Sequence, residues 1–305
     1  MLPDPRVSVV IPAYNHGAWI EETLEAVVRQ TFTEWEAIVV DDGSTDDTGE
    51  VARRFAPRVR YVRQENAGVS AARNNGLAKT TGRYVTFLDS DDLFRPNGLE
   101  VLVAALDRDP SLGMVYGSQC RLKDGLVFDC STPCHRGDIL LPLLLKDQSF
   151  RLSSGTTLIR RDVLQAVQAF DPRFSTSADY DLWLRLAASY PVDFVPEPVL
   201  DYRVTPGAMH RNLRLFERDR LGVLDKFYSK GAGRRPELAA LRSCAYARAH
   251  YCIGGEALYQ RDWSLAFRHL ARVVRLDPLF AARRLGGWPG RRAARMLGKA
   301  PHPGE

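Results

Sequence analysis

The spacing of apolar residues changes several times along the chain, and each change marks an element. Val7-Ser8-Val9-Val10-Ile11-Pro12 is a nearly unbroken β-branched run, as expected of a strand buried on both faces. Over 18–30 the apolar residues Trp19, Ile20, Leu24, Val27 and Val28 recur at helical spacing. Ala37-Ile38-Val39-Val40 predicts a second buried strand, which stops at Asp41-Asp42-Gly43-Ser44. Thr45-Asp46-Asp47-Thr48 then supplies capping chemistry for another helix. Val59-Arg60-Tyr61-Val62 and Tyr84-Val85-Thr86-Phe87-Leu88 read as strands three and four, with a helix over 70–78 between them. Strands alternating with helices at this spacing predict a doubly wound, mostly parallel sheet. Such sheets bind ligands beyond the carboxyl ends of their strands. The acidic clusters Asp41-Asp42 and Asp89-Ser90-Asp91-Asp92 fall at those ends.

Beyond residue 112 the pattern is mixed: strand-like over 156–160, helical over 180–189, extended over 192–200. From about Leu213 it is helical and rich in Arg and Leu, with a helical hairpin expected over 257–276 and a loose tail from Arg283. The expected organisation is therefore residues 1–212 as one α/β domain, halved near 112, and 213–305 as a helical extension.

Charge separates the same two regions. The 305 residues carry a formal net charge of +5, but 1–210 hold 22 Lys and Arg against 29 Asp and Glu, and 211–305 hold 20 against 8. An acidic body argues against nucleic acid as the partner. The N-terminal residues have neither the basic nor the apolar stretch of a signal peptide, and the longest apolar run is far shorter than the roughly 20 residues of a membrane span. Five scattered cysteines, with Cys130, Cys134 and His135 close together but no second ligand pair, read most simply as reduced thiols in a cytoplasmic protein.

Three constellations carry candidate chemistry. Asp89 and Asp91, just past a buried strand, offer oxygen ligands to Mg2+ or Mn2+, or form a solvated turn. Asp42 caps the following helix or accepts a hydrogen bond from a nucleobase on which Tyr14 stacks, and Arg73 is a surface residue or faces a diphosphate. Asp179 and Asp181 are two apart in a helical stretch and cannot share a face, so one is free to point into a cleft as a general base. The chain has no P-loop, no dinucleotide-binding glycine motif and no nucleophile elbow.

Together these segments resemble the family 2 glycosyltransferases, inverting enzymes with the GT-A fold. The matching stretches are Val7 through Asn15, Val39-Val40-Asp41-Asp42-Gly43-Ser44-Thr45-Asp46, and Asn66-Ala67-Gly68 through Asn74. Phe87-Leu88-Asp89-Ser90-Asp91-Asp92, Ser154-Gly155 onward, Asp179-Tyr180-Asp181-Leu182-Trp183 and Tyr202-Arg203 follow. The resemblance implies a nucleoside-diphosphate sugar as donor and a glycan or lipid-linked acceptor, as in cell-surface polysaccharide synthesis. It implies nucleotide contacts at Pro12, Tyr14, Asp42, Arg73, Asp89 and Ser90. A Mn2+ or Mg2+ ion would sit at Asp91 and Asp89, with Asp179 as catalytic base. Arg203 and His210 are the candidates for a lid over the diphosphate. Two departures stand out: Ala178 replaces the Glu that often precedes the base, and Val204-Thr205-Pro206-Gly207-Ala208-Met209-His210 lacks the usual His–Ser lid pattern. A non-catalytic nucleotide-sugar or glycan binder is the rival reading, and the intact Asp91 and Asp179 argue against it. The Arg-rich tail, including Arg283, Arg284, Arg291, Arg292, Arg295 and Lys299, is either solvated or a contact with an anionic membrane.

Overall fold

The computed structural model describes residues 4–131, 134–145, 152–205 and 212–285. The chain divides into two compact units, residues 1–210 and 211–305.

The first unit is built on one mixed sheet. β1 (Val7–Ala13), α1 (Gly17–Val28), β2 (Trp35–Asp41), α2 (Thr48–Arg53), β3 (Val59–Arg63), α3 (Val69–Ala78) and β4 (Tyr84–Phe87) alternate as the apolar runs predict. All seven residues of β1 are buried, which accounts for the lack of polar alternation. α1 turns Ile20, Thr23, Leu24 and Val27 inward, one stripe of a 3.6-residue period. Next come β5 (Leu93–Phe94), α4 (Gly98–Arg108), β6 (Met114–Lys123), β7 (Leu126–Phe128), α5 (Leu140–Leu145), β8 (Thr157–Arg160), α6 (Arg161–Ala166), α7 (Ala178–Ala187) and β9 (Val192–Arg203).

The strand order is β3-β2-β1-β4-β8-β6-β9-β5, with β7 paired to β6. β3, β2, β1 and β4 run parallel, whereas β8 is antiparallel to both β4 and β6. The sheet is thus parallel in the half carrying the early strands and mixed in the other. β1 has β2 on one side and β4 on the other, so the strand order reverses at its edge. This is the switch point at which open α/β sheets form a ligand crevice.

Several expectations shift in detail. The extended stretch over 192–200 runs on to Arg203, because Leu200 and Asp201 pair with β5 and 200–203 also pair with β6. The cysteines differ from the reading as five reduced thiols: Cys120 and Cys130 form a disulfide. The β6–β7 hairpin, turning at Asp124-Gly125, folds Cys130 back beside Cys120, a proximity that separation along the chain does not reveal. Cys134, Cys244 and Cys252 stand outside this disulfide.

The second unit is helical: α8 (Leu213–Ser229), α9 (Pro236–Ala239), α10 (Arg242–Tyr259), α11 (Trp263–Leu276) and α12 (Pro278–Leu285). The hairpin expected over 257–276 starts earlier, because Ala245, Ala249 and Ile253 already bury one face of α10. Asp262 caps α11 by accepting from the Leu265 amide. Arg283 and Arg284 lie in α12, while Arg291, Arg292, Arg295 and Lys299 lie outside the described residues. Among the described residues no helix is long and apolar enough to cross a membrane.

Candidate active site

The candidate residues of the first unit meet beyond the carboxyl ends of β1, β2 and β4. Tyr14 follows β1 and is half exposed. The turn after it interlocks with the turn after β2: Asn15 takes a positive φ, its Oδ1 accepts from the Thr45 amide, and its own amide donates to Ser44 Oγ. The expected cap in this stretch is Asp46 alone. Its carboxylate accepts from the Gly17 amide at the start of α1 and from the Thr48 amide and hydroxyl at the start of α2.

Asp41 and Asp42 are both buried, and both hold backbone. Asp41 accepts from the Ser44 amide at 2.8 Å and from Tyr61 Oη at 2.5 Å, and these bonds keep its carboxyl below the usual range despite burial. Asp42 accepts from Gln64 Nε2, from the Ala67 amide and from the Gly68 amide, all at 2.8–2.9 Å. It therefore fastens the turn before α3, a capping role at α3 rather than at the helix beginning near Thr45. Its Oδ2 takes a single donor, Gly68, and keeps acceptor capacity for a ligand. Gly68 has φ +88°, a conformation that favours glycine.

Arg73 is the centre of the site. It projects from α3, is 3% exposed, and stacks over the Phe170 ring at 5.0 Å. One arm, Nη2, donates to Asp89 Oδ1 at 2.8 Å, and the other, Nη1, donates to Asp179 Oδ1 at 2.7 Å. A single planar guanidinium thus ties the acid after β4 to the acid in the first turn of α7. Burial and the negative charge of Asp89 push the Asp179 carboxyl up, and Arg73 opposes them. Asp181, two residues on, turns away, and its Oδ2 accepts from both Nε and Nη2 of Arg185.

Asp91 and Asp92 form a second acidic layer. Asp91 accepts from Thr205 Oγ1 at 3.1 Å, and burial together with Asp89 raises its carboxyl. Asp92 is 1% exposed; Oδ1 accepts from the Arg203 amide, Oδ2 has no partner among the described residues, and burial beside Asp89 and Asp91 raises it strongly. The same three carboxylates, added to burial, push the Tyr202 hydroxyl up. Crowded carboxylates with a buried oxygen lacking a donor are an all-oxygen set that a hard divalent cation suits. Among the described residues no three acidic, His or Cys side chains form a complete metal cage, so any cation would take its remaining ligands from elsewhere.

The other expected residues are placed as follows. Pro12 is buried within β1. Ser90 is buried, and its hydroxyl meets His16 Nδ1 at 2.6 Å. Arg203 donates from Nε to the Asp91 carbonyl and from Nη2 to Glu22, and lies over the Trp19 ring. His210 lies outside the described residues. Sequence reasoning missed His16 and Thr205. His16 follows Tyr14 by two residues past the end of β1, and that position was a usable signal; Thr205 carried none.

The carboxylates after β2 and β4 and the acid of α7 thus gather at the switch point of the α/β sheet. The chain belongs to glycosyl transferase family 2, whose family model matches residues 8–167, more than half of its length. Glycosyltransferase GlyA of Streptococcus pneumoniae is 40% identical over 122 residues, 38% of this chain but 18% of GlyA, so the chain spans under a fifth of that relative. The fold is similar to that of S. aureus TarS 1–349 in complex with UDP-GlcNAc, with a TM-score of 0.67 and 20% identity over 97% of this chain and 93% of that one. It is also similar to the mannosyltransferase PcManGT of Pyrobaculum calidifontis in complex with GDP-Man and Mn2+. There the TM-score is 0.64, with 23% identity over 96% and 81% of the two chains.

Proposed function

We propose that the chain transfers a sugar from a nucleoside-diphosphate sugar to a hydroxyl of a glycan or lipid-linked acceptor, with inversion at the anomeric carbon. The observation that carries this reading is the Arg73 bridge, which sets Asp179 and Asp89 on one guanidinium beyond the carboxyl ends of β1 and β4. Asp179 is the base. Its raised carboxyl is a better proton acceptor than an ordinary aspartate, and it takes the proton of the acceptor hydroxyl as that oxygen attacks. One displacement assisted by one base inverts the configuration. Tyr14, half exposed, is available to stack on the base of the donor, and Asp42 Oδ2 is available to a ring N–H. Asp89 and Asp91 would hold Mg2+ or Mn2+, which when bound supplies Lewis-acid stabilisation of the departing diphosphate. That PcManGT carries GDP-Man and Mn2+, and TarS UDP-GlcNAc, supports a nucleotide sugar as donor.

The basic stretch from Arg283 and Arg284 onward would give peripheral contact with an anionic membrane surface, where a lipid-linked acceptor resides. The deciding experiment is a screen of nucleotide sugars for release of nucleoside diphosphate with Mn2+ or Mg2+, run on the wild type and on Asp179→Asn. Release by the wild type, lost in Asp179→Asn while nucleotide binding is retained, is the expected result. A fully active Asp179→Asn protein would remove Asp179 as base, and no release from any donor would remove the transferase reading.

A further inference from the structure

The second unit holds a basic cleft lined by none of the candidate active-site residues. Its volume is ≈ 400 Å³, and its lining includes Arg242, Ser243 and Tyr246 of α10 and Arg272 and Arg275 of α11. The helices form an antiparallel hairpin, so the last turns of α11 lie beside the first turns of α10. Arg272 and Arg275 are one helical step apart and fall on one face, while Arg242 reaches in from the facing helix. All three arginines are exposed, and among the described residues none forms an ion pair. Elsewhere in the same unit the arginines of this hairpin do find acids: Arg248 pairs with Asp277 and Arg268 with Glu217.

The cleft contains one carboxylate, Asp225, and Tyr246 Oη donates to it. His250, also in the lining, is held neutral, its pKa lowered to about 4 by burial, His269 and Arg272. Three guanidinium charges against one carboxylate leave a net of two positive charges. Arg242 is seated over the rings of Tyr228 and Tyr246, at 5.8 and 5.6 Å, which restrains its long side chain. Ser243 adds a hydroxyl donor in the first turn of α10, where no side chain caps the backbone amides.

We propose that this cleft binds a phosphate group carried on a larger molecule, a phosphomonoester or phosphodiester. Donors converge from two helices, which suits a tetrahedral anion; a carboxylate needs only one guanidinium fork. The surplus positive charge suits an anion of one or two negative charges, as a phosphodiester or a phosphomonoester carries. The volume exceeds what a bare ion fills and leaves room for the group that bears the phosphate. The source is either a soluble phosphate ester or the headgroup of an anionic lipid. The inference does not depend on Asp179 or on the sugar-transfer reading.

The test uses the full chain in the presence of EDTA, with two probes: glycerol 3-phosphate by calorimetry, and phosphatidylglycerol vesicles by sedimentation against phosphatidylcholine vesicles. Binding of glycerol 3-phosphate assigns a soluble source, and binding of the anionic vesicles alone assigns a headgroup. In either case Arg272→Glu/Arg275→Glu should weaken it at least about tenfold, the scale of losing charge-assisted hydrogen bonds. Arg272→Lys/Arg275→Lys, which keeps the charge but loses the forked donors, should weaken it by less than the Glu variant does. Circular dichroism of the variants checks folding, and a third variant, Arg242→Gln, reports from the opposite wall. Binding of neither probe by the wild type, or equal binding by the wild type and the folded Glu variant, overturns the proposal.

Discussion

The Arg73 bridge is open to a direct energetic test by a double-mutant cycle of Arg73→Met and Asp179→Asn. The guanidinium is almost wholly buried, while its partners keep 28% and 38% of their side-chain surface exposed. At a charge separation of roughly 4 Å and an effective dielectric constant near 20, each pair has about 4 kcal/mol of Coulomb energy. Solvent screening at the exposed carboxylates and the desolvation of Arg73 consume most of it, leaving about 1–1.5 kcal/mol of coupling per pair. Arg73→Met removes both pairs and leaves Asp89 and Asp179 facing each other, so it should cost about 3 kcal/mol. Asp179→Asn keeps an acceptor oxygen for Nη1 and relieves a carboxyl that burial already disfavours, so it should cost about 1 kcal/mol or less. The double variant should then be more stable than the sum of the single effects by about 1 kcal/mol. The assay is denaturant unfolding in EDTA, followed through a probe in the first unit. Additivity to within about 0.3 kcal/mol, together with a cost below about 1 kcal/mol for Arg73→Met, would refute the view of Arg73 as the clamp.

Three further outcomes test the framework around the site and the second unit. Asp42→Ala should destabilise by about 2–3 kcal/mol, because two amides and Gln64 lose their acceptor, and hydrogen exchange at Ala67 and Gly68 should accelerate; unchanged protection there would contradict the anchoring role. Gly76→Ala should cost about 1–2 kcal/mol net and weaken nucleotide binding. The new Cβ would lie 2.4 Å from Val10 Cγ1 and 3.1 Å from Val40 Cγ2, pushing α3 and Arg73 off the sheet, an overpacking penalty that exceeds the gain in helix propensity; a stabilised variant would contradict tight packing of α3 on the sheet. His250 takes up a proton near pH 6.5 when unfolded but only near about 4 when folded, so its contribution is intact above pH 6.5. Up to about 3 kcal/mol of stability should drain away as pH falls from 6.5 toward 4, and His250→Gln should flatten that slope in urea titrations; a slope unchanged by the substitution would assign it to other groups.

The parts of this molecule that could be read from the sequence are those set by local patterning. β1, β2 and β4 announce themselves as apolar runs because both of their faces are covered, and the acids that end β2 and β4 stand out against those runs. The same local logic separates Asp179 from Asp181: two acids at i and i+2 cannot share a helix face, and the first meets Arg73 while the second turns toward Arg185. What could not be read depends on partners far along the chain. Arg73 looked like a surface arginine or a diphosphate contact, and its burial comes from Phe170 and Asp179, about a hundred residues away. Asp42 read as a cap or a base contact, yet its donors come from a turn more than twenty residues on. The reach of β9 to Arg203 reflects pairing with β5 and β6, and the Cys120–Cys130 bond reflects a hairpin register; neither leaves a mark on local periodicity. His16 meets Ser90 across 74 residues of chain, a contact that belongs to no local motif.

The charge of the first unit also has a physical logic. Asp89, Asp91, Asp92 and Asp179 crowd one end of the sheet, and the carboxyls of Asp91, Asp92 and Asp179 are all raised, so folding works against their ionised forms. Asp41 and Asp46 lie nearby and are lowered, because each is fully supplied with donors. The difference separates acids that hold the fold from acids that strain it. Arg73 offsets two of the four in the crowded group, and Arg203 reaches Asp91 only through its backbone carbonyl. A diphosphate brought alone to this cluster would meet net negative charge, and a divalent cation alone would leave coordination positions open. Under the proposed reading each supplies what the other lacks, so donor and cation should bind with strong positive coupling. The stability forgone by keeping uncompensated carboxylates at the switch point is then the expected trade of a site built for a ligand rather than for the fold.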